Sequence, residues 1–301
     1  MNRRNFLGWL SGLGMLASHP LRVFAQGRLP TRPIPVSGEA LPVIGFGSSK
    51  AVMQIPEDGT ESLAAVLRTL VRYGGSVVDT TPRREEIEAP FAEVLRAPDL
   101  VDELFMAMKI NTTDEQVGLQ QVQQSRRLLG ERTFDLMQVM SLRGLHAHWP
   151  HVREMKETGG TRYVGVTVSN YEDYEAMEAF MSSEPLDFVQ VNYSVVETLA
   201  EERLLPLAQD RGFAVMINGP FMGGDYFGHV RGHELPHWAA EFDCTSWAQF
   251  SLKYILANPA ITCILTETVN PQHLQENIES AFGPLPDEPT RRRMRELIRS
   301  M

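Results

Sequence analysis

The feature that most constrains the fold of this chain is a regular alternation of short apolar runs and amphipathic stretches from Leu41 onward. Runs such as Val77–Asp79 are rich in β-branched residues, whereas residues 62–73 carry apolar side chains at helical spacing. Eight strand–helix units follow one another, and no long polar linker divides them. Strands that alternate with helices form parallel sheets, so the chain belongs to the α/β class. Eight units predict a closed (β/α)8 TIM barrel over residues 41–301.

The spacing of apolar residues also gives the approximate position of each element. Strands are predicted at residues 42–47, 77–79, 104–109, 134–139, 161–166, 188–191, 213–217 and 261–265. Helical segments are predicted at residues 62–73, 90–95, 115–129, 152–156, 171–181, 201–210, 246–256 and 271–281, with a basic terminal helix at 291–301.

Net charge and glycine usage exclude several classes of protein. The formal net charge of −10 argues against nucleic acid or an anionic membrane surface as a partner. The stretch Gly45-Phe46-Gly47 lacks the third glycine of a dinucleotide-binding loop of the Rossmann type.

The first 25 residues have the composition of an export signal. Arg3 and Arg4 precede an apolar run at residues 6–17, and Val23-Phe24-Ala25 offers a cleavage site. The run is shorter than the ~20 residues that span a bilayer, so the protein is not expected to be membrane-embedded. We therefore predict a twin-arginine signal at 1–25, the export machinery as a partner, and a periplasmic location. Residues 26–40 are predicted to form a linker and a small hairpin.

Cysteine and histidine patterns predict no metal site. Cys244 and Cys263 lie in apolar surroundings and are predicted to be core residues rather than a disulfide. Two histidine groups have spacings of interest: His229, His233 and His237, and His146, His148 and His151. Gly232 and Pro236 interrupt the first group, and the second is predicted to lie in a loop at the rim of the pocket.

Residues 76–95 present the clearest functional pattern. Asp79 ends a β-branched run and is followed by a Thr-Thr-Pro turn and a charged helical stretch. This stretch resembles the signature of the aldo/keto reductases, in which a strand-end Asp precedes a loop that carries a proton-donating Tyr. Four other segments resemble the same family: 34–47, 186–194, 204–215 and 271–277.

The resemblance implies a barrel-mouth site with an Asp, a Lys, a Tyr and a His, two of which are replaced here. Asp79 and Lys109 match the Asp and the Lys, whereas Arg84 takes the Tyr position and Met140 the His position. A guanidinium keeps its proton at working pH, and a thioether donates none. Losing a positioned general acid is expected to cost roughly 10²–10⁴-fold in rate.

Several groups remain open as substitutes for the missing phenol. Glu85 or Glu86 would serve as an acid if its pKa were raised, whereas Glu88 suits a supporting role. Arg83 or Arg84 would clamp a carboxylate or polarise a carbonyl. Lys109 would donate a proton itself if a neighbouring arginine depressed its pKa. An equally supported alternative is that Asp79 and Lys109 form an ion pair with a purely structural role, which links two neighbouring strands.

The family resemblance also implies a nicotinamide cofactor, NADP or NAD, although only some of the binding positions carry the residues that the family usually has there. Six positions match the cofactor-binding region: Gln190, Asn218, Thr268, His273, Glu276 and Asn277. Asn218 stands where an aromatic side chain usually stacks on the nicotinamide. Glu267 replaces part of the turn that meets the 2′-phosphate, and its carboxylate would repel that phosphate and favour NAD(H).

Two functions therefore follow from the sequence. The first is an exported oxidoreductase that reduces a carbonyl substrate with NAD(P)H through an altered tetrad. The alternative is a non-catalytic exported barrel that binds a small anionic ligand near Arg84.

Overall fold

The structure is a computed structural model that describes residues 27–301. The predicted export signal at 1–25 lies outside these residues. Within the predicted linker and hairpin, two short antiparallel strands pair, β1 (Thr31–Pro33) and β2 (Ala40–Pro42). The turn between them contributes Ile34, which is fully buried, and Ser37, whose Oγ accepts a hydrogen bond of 2.7 Å from Tyr163 Oη. The hairpin therefore packs against the barrel.

Eight parallel strands close into a barrel in chain order, because the last strand pairs with both the first and the seventh. They are β3 (Ile44–Gly47), β4 (Val77–Asp79), β5 (Phe105–Ile110), β6 (Phe134–Val139), β7 (Thr161–Thr167), β8 (Phe188–Asn192), β9 (Ala214–Asn218) and β10 (Cys263–Thr266). The predicted (β/α)8 barrel is confirmed. Every predicted strand is present, with ends that differ by at most two residues.

The helices surround the barrel. They are α1 (Ser49–Met53), α2 (Ile55–Asp58), α3 (Glu61–Arg72), α4 (Glu85–Leu95), α5 (Glu115–Leu128), α6 (Leu145–Glu157), α7 (Tyr174–Ser183), α8 (Leu204–Arg211), α9 (Tyr226–His229), α10 (Trp247–Leu256), α11 (Pro271–Glu279) and α12 (Glu288–Arg299). Side-chain caps fix several starts. Asp114 accepts a bond of 2.9 Å from Val117 N at the start of α5, and Asp287 accepts one of 2.9 Å from Thr290 N at the start of α12.

The apolar side chains form two layers, as a barrel requires. One cluster fills the barrel interior and includes Val77, Phe105, Leu136, Phe188 and Cys263. The larger cluster lies between the strands and the helices. Both layers follow from the sequence, because alternate strand residues face the two sides and helical residues at 3.6-residue spacing face the strands.

The structure corrects two expectations. The predicted loop after Met140 is largely the helix α6, so His146, His148 and His151 lie on a helix instead. Pro150 lies inside α6, and proline is a strong loop signal in a sequence, which explains the error. The helices α1, α2 and α9 were also missed, because segments of four or five residues are too short to show a helical period.

Cys244 and Cys263 are both free and buried, as predicted for core residues. Between residues 27 and 301, no helix is long and apolar enough to cross a membrane. Over the same range, no group of three or more His, Cys, Asp or Glu side chains has the arrangement of a metal site.

Candidate active site

A cavity of about 690 Å³ opens at the C-terminal ends of the barrel strands. The ends of β4 and β5 supply Asp79 and Lys109, and the ends of β8 and β9 supply Gln190 and Asn218. Loops that follow β3, β6, β9 and β10 form the walls. This is the face at which barrels of this class carry their active sites, because eight strand-to-helix loops converge there.

Asp79 and Lys109 form an ion pair at the base of the cavity. The Lys109 ammonium donates to the Asp79 carboxylate, and their side chains are only 6% and 8% exposed. Asp79 is the last residue of β4, and Lys109 lies on the neighbouring strand β5. Adjacent parallel strands therefore bring the two groups together at the same end of the barrel. The expected pairing is confirmed.

Two glutamine amides hold the Asp79 carboxylate from its other sides. Gln138 Nε2 lies 3.4 Å from Asp79 Oδ1, and Gln190 Nε2 lies 3.4 Å from Asp79 Oδ2. The two amides also contact each other, since Gln138 Nε2 donates to Gln190 Oε1 at 3.2 Å. These hydrogen bonds hold the Asp79 carboxylate in place and leave both glutamines little rotational freedom. The buried Gln138 Oε1 has no hydrogen-bond partner within the described chain.

The pKa of Lys109 is lowered from its ordinary value. Burial is the largest cause, because a low-dielectric environment disfavours the ammonium form. The Asp79 carboxylate opposes this effect, and the Arg83 guanidinium adds to it. A lysine whose proton is held less tightly is better able to transfer that proton to a ligand in the cavity.

Arg84 does not contribute to the cavity wall. Its side chain is 77% exposed and pairs with Glu86 at 3.1 Å, just before the first turn of α4. Arg83 instead points back to the barrel and donates to Thr80 Oγ1 at 3.1 Å and to Ser48 O at 3.0 Å. The expectation that Arg84 faces the pocket is therefore wrong.

Glu88 has the supporting role that the sequence favoured. This buried carboxylate accepts hydrogen bonds from Ser125 Oγ, from Gln124 Nε2 at 3.1 Å and from Arg83 N at 3.3 Å. It therefore fixes the backbone of the loop from which Arg83 points back to the barrel. Glu85 and Glu86 are exposed.

Met140 lines the cavity from the end of β6, as its sequence position indicates. Its sulfur accepts a weak hydrogen bond from Thr81 Oγ1 at 3.6 Å. The chain then turns sharply, with left-handed backbone at Ser141 (φ 50°) and Leu142 (φ 52°). Such conformations are costly for residues other than glycine, and the Ser141 N–H bond to Thr167 Oγ1 at 3.0 Å supports the turn.

Within the part of the chain that the structure describes, neither a tyrosine nor a histidine lines the cavity. The hydroxyls of Tyr174 and Tyr226 donate instead to Asn192 O and Trp247 O. The two groups that the family resemblance places around a substrate carbonyl are therefore both absent from this described surface.

The residues expected to bind a cofactor divide into two sets. Gln190, Asn218 and Thr268 line the cavity. His273, Glu276 and Asn277 lie further along, on α11, and contribute nothing to its wall. Asn218 donates to Val168 O at 3.1 Å, and its own buried Oδ1 has no partner in the described chain.

Glu267 lies in the same cavity and binds the start of α1. Its Oε1 accepts hydrogen bonds from the backbone N–H groups of Lys50 and Ala51, the latter at 2.8 Å. Burial raises the pKa of Glu267, while these two hydrogen bonds and the charges of Lys50 and Arg83 oppose that rise. The carboxylate that the sequence placed near a phosphate is therefore directed into the cavity.

Sequence reasoning missed other polar and aromatic wall residues. Lys50 and Glu197 line the cavity, as do Asp225 and the aromatic rings of Phe221 and Phe227. All five lie in loops or short helices at the barrel mouth. Their position after a strand end was a usable signal, because strand-to-helix loops line the mouth of such barrels.

Comparison with known proteins agrees with this geometry. The sequence model of the Aldo/keto reductase family matches residues 43–296, which is most of the chain. The chain belongs to the aldo/keto reductase family.

Among solved aldo/keto reductases, the holo form of AKR11C1 from Bacillus halodurans is similar, with a TM-score of 0.70 and 17% identity. An aldo/keto reductase from Klebsiella pneumoniae in complex with NADP and acetate has a TM-score of 0.69 and 18% identity. Each comparison covers 90% of this chain and 96% of the other. At these identities, the likeness establishes the fold.

A curated relative of this aldo/keto reductase chain is the NADH-specific methylglyoxal reductase of Escherichia coli strain K12. The two are 26% identical in an alignment over 153 residues, and the match covers 42% of this chain. The match spans slightly less than half of the relative, 46% of its length.

Proposed function

We propose that this protein is an oxidoreductase that reduces a small carbonyl compound with a nicotinamide cofactor, using Lys109 in place of a tyrosine as the proton donor. One observation carries the proposal: Lys109 lines the cavity with its ammonium paired to Asp79, and no phenol or imidazole of the described residues lines the cavity with it. Asp79 and Lys109 are two of the four groups of the family's site, so the altered site retains its charged pair.

The nicotinamide end of a cofactor fits the residues that are present. Gln190 and Asn218 offer amide groups at the strand ends, and the unpartnered Asn218 Oδ1 suits a ligand N–H donor such as a carboxamide. Phe221 and Phe227 line the same cavity and offer apolar surface to a planar ring. The bound nicotinamide would supply the reducing equivalents.

The chain's own residues would deliver the proton. A carbonyl oxygen near Lys109 Nζ would receive a proton from the ammonium as negative charge develops on that oxygen. Asp79 would hold the ammonium in place, and the amides of Gln138 and Gln190 would hold Asp79. Met140 offers no donor, so Lys109 would orient the carbonyl as well as protonate it. A proton from solvent would then restore the Lys109 ammonium and complete the cycle.

The 2′-phosphate of NADP fits less well than the free hydroxyl of NAD. The family resemblance assigns that contact to the turn at 266–268, where this chain places the Glu267 carboxylate. Like charges repel, whereas a carboxylate accepts a hydrogen bond from a ribose hydroxyl. The Escherichia coli relative is NADH-specific by name, although the Klebsiella pneumoniae structure contains NADP. These observations support a preference for NADH.

The alternative function, binding of a small anion near Arg84, receives little support from the charges in the cavity. Arg84 faces solvent, and the charged side chains along the described cavity wall are mostly acidic. They are Lys50, Lys109, Asp79, Glu197, Asp225 and Glu267. An anion would meet four carboxylates and two ammonium groups, one of which Asp79 already neutralises.

Titration of the purified protein tests the proposal. Tryptophan fluorescence and nucleotide emission would follow binding of NADH and NADPH, with a matched Glu267→Thr variant to measure the effect of the carboxylate. We expect tighter binding of NADH than of NADPH, and a smaller difference in the variant. Absence of binding for both nucleotides at millimolar concentration would refute a nicotinamide-dependent function.

We also propose that residues 1–25 direct the folded protein to the periplasm through the twin-arginine pathway. The support is sequence alone: Arg3 and Arg4 precede an apolar run and a small-residue cleavage site. Cell fractionation of the wild type and of an Arg3→Lys, Arg4→Lys variant provides the test. Wild-type protein should be processed and periplasmic, and equal export of the variant would refute the pathway.

A further inference from the structure

Lys109 differs from every other lysine of this chain in its surroundings. The chain contains only four: Lys50, Lys109, Lys156 and Lys253. Lys50 lines the cavity but is exposed, and Lys156 is partly exposed and paired with Asp187. Lys253 is buried, but its ammonium donates to the backbone oxygens of Phe282 and Pro284, away from the cavity. Lys109 alone combines burial with a place on the cavity wall.

We infer that Lys109 is an amine nucleophile that forms a reversible iminium adduct with aldehydes entering the cavity, a covalent activity separate from reduction. The inference rests on the proposed carbonyl-binding site but needs no nicotinamide. Three features of the geometry carry it: Lys109 lines the cavity, Asp79 lies beside Nζ as a proton acceptor, and no phenol from residues 27–301 lines the cavity.

The groups around Lys109 suit an amine that reacts. Buried lysines next to a second cation are activated as nucleophiles, because both conditions favour the neutral amine. Arg83 is that second cation, and its guanidinium is fixed by Thr80, Thr81 and Ser48 near the base of the cavity. The lowered pKa of Lys109 has the same physical origin. Access from the cavity then gives a small aldehyde a route to Nζ.

The atoms balance without a redox partner. The Asp79 carboxylate takes one proton from the Lys109 ammonium, and the free amine attacks the carbonyl carbon to form a carbinolamine. Asp79 then returns its proton to the carbinolamine hydroxyl, which leaves as water with the former carbonyl oxygen. The nitrogen loses two protons to that water, and a C=N bond replaces the C=O bond. The product is an iminium that keeps one positive charge beside the Asp79 carboxylate, so the buried pair stays neutral throughout.

The test is reductive trapping on the full chain as purified. The protein is incubated with propanal and cyanoborohydride, which reduces iminium ions but leaves the aldehyde, and peptides are mapped by mass spectrometry. We expect modification at Lys109 at least about tenfold faster than at the other three lysines, because only Lys109 combines burial beside a second cation with a place on the cavity wall. Lys253 controls for burial, and Lys50 controls for access to the cavity.

Labelling of Lys109 no faster than of Lys253 would overturn the inference. A Lys109→Arg variant, checked for folding by circular dichroism, should lose only the fast-labelled peptide. The nucleotide titration is independent of trapping. Trapping without NADH binding would therefore reject only the reductase proposal, and NADH-dependent reduction without trapping would reject only the adduct.

Discussion

Breaking the Asp79–Lys109 pair should lower the free energy of unfolding, and the burial of the pair sets the size of the loss. The Lys109 and Asp79 side chains are 6% and 8% exposed, and no acceptor for the ammonium other than Asp79 has been identified in the described chain. Removing one partner of such a pair costs about 3–5 kcal/mol, because an uncompensated charge is left in a low-dielectric environment. For Asp79→Asn, the loss of stability has an upper limit, because an unpaired Lys109 can give up its proton and become neutral. Deprotonating an ordinary lysine at pH 7 costs about 5 kcal/mol.

The two single variants should differ in cost. Lys109→Met leaves the Asp79 carboxylate with two amide donors, from Gln138 and Gln190, so we expect it to cost about 1–2 kcal/mol less than Asp79→Asn. In the double variant neither charge remains. The double-mutant cycle should therefore give a coupling energy of at least about 2 kcal/mol, since the two substitutions remove one shared interaction.

Urea denaturation of the four proteins at pH 7, followed by tryptophan fluorescence, measures this coupling. The exposed Arg68–Asp99 pair, whose side chains are 52% and 53% exposed, provides a matched control and should show no measurable coupling. A coupling for Asp79 and Lys109 as small as that of the control would show that the pair is solvated, and the proposed chemistry would lose its basis.

Three further perturbations have expected outcomes. Burial raises the pKa of Glu267 in the folded state, so the folded state binds a proton more tightly than the unfolded state does. The free energy of unfolding that this group contributes therefore falls as pH rises above about 4.5. Urea denaturation should show the stability of Glu267→Gln rising relative to wild type between pH 4 and pH 7. Gly118→Ala places a Cβ 2.5 Å from the buried His148 ring and should lower stability by about 1–3 kcal/mol, whereas Gly228→Ala has no neighbour within 4 Å and should not lower the melting temperature. Arg84→Tyr should leave carbonyl reduction unchanged in a steady-state assay, because the side chain at position 84 faces solvent, and a large gain would contradict this placement.

The fold was predictable because its signals are local. Each barrel strand is a short apolar run, and each main helix repeats apolar residues at a spacing of 3.6, so element type and order follow from the sequence. The ion pair was predictable for the same reason, since strand-end residues of adjacent parallel strands meet at one end of a barrel. Short helices such as α1 gave no periodic signal and were missed.

The rest of the site depends on contacts that no local pattern reveals. Arg83 and Arg84 are adjacent in the sequence, and only the backbone geometry of the loop, held by Glu88, decides which of them faces the barrel. The contact between Glu267 and the N–H of Lys50 joins residues 217 positions apart. Matching the sequence to the family pattern identified position 84 as the counterpart of the tyrosine, but it did not determine the direction in which that side chain points.

Single-turnover oxidation of NADH in the presence of a small aldehyde, propanal, tests the central claim most directly, namely that the Lys109 ammonium replaces a phenol as proton donor. Lys109→Arg keeps a cation beside Asp79 but holds its proton at any working pH. We expect wild-type protein to oxidise NADH, Lys109→Arg to be roughly 10²–10⁴-fold slower, and the control Lys156→Arg to match wild type. Equal rates for wild type and Lys109→Arg, or no oxidation by wild type, would contradict the claim.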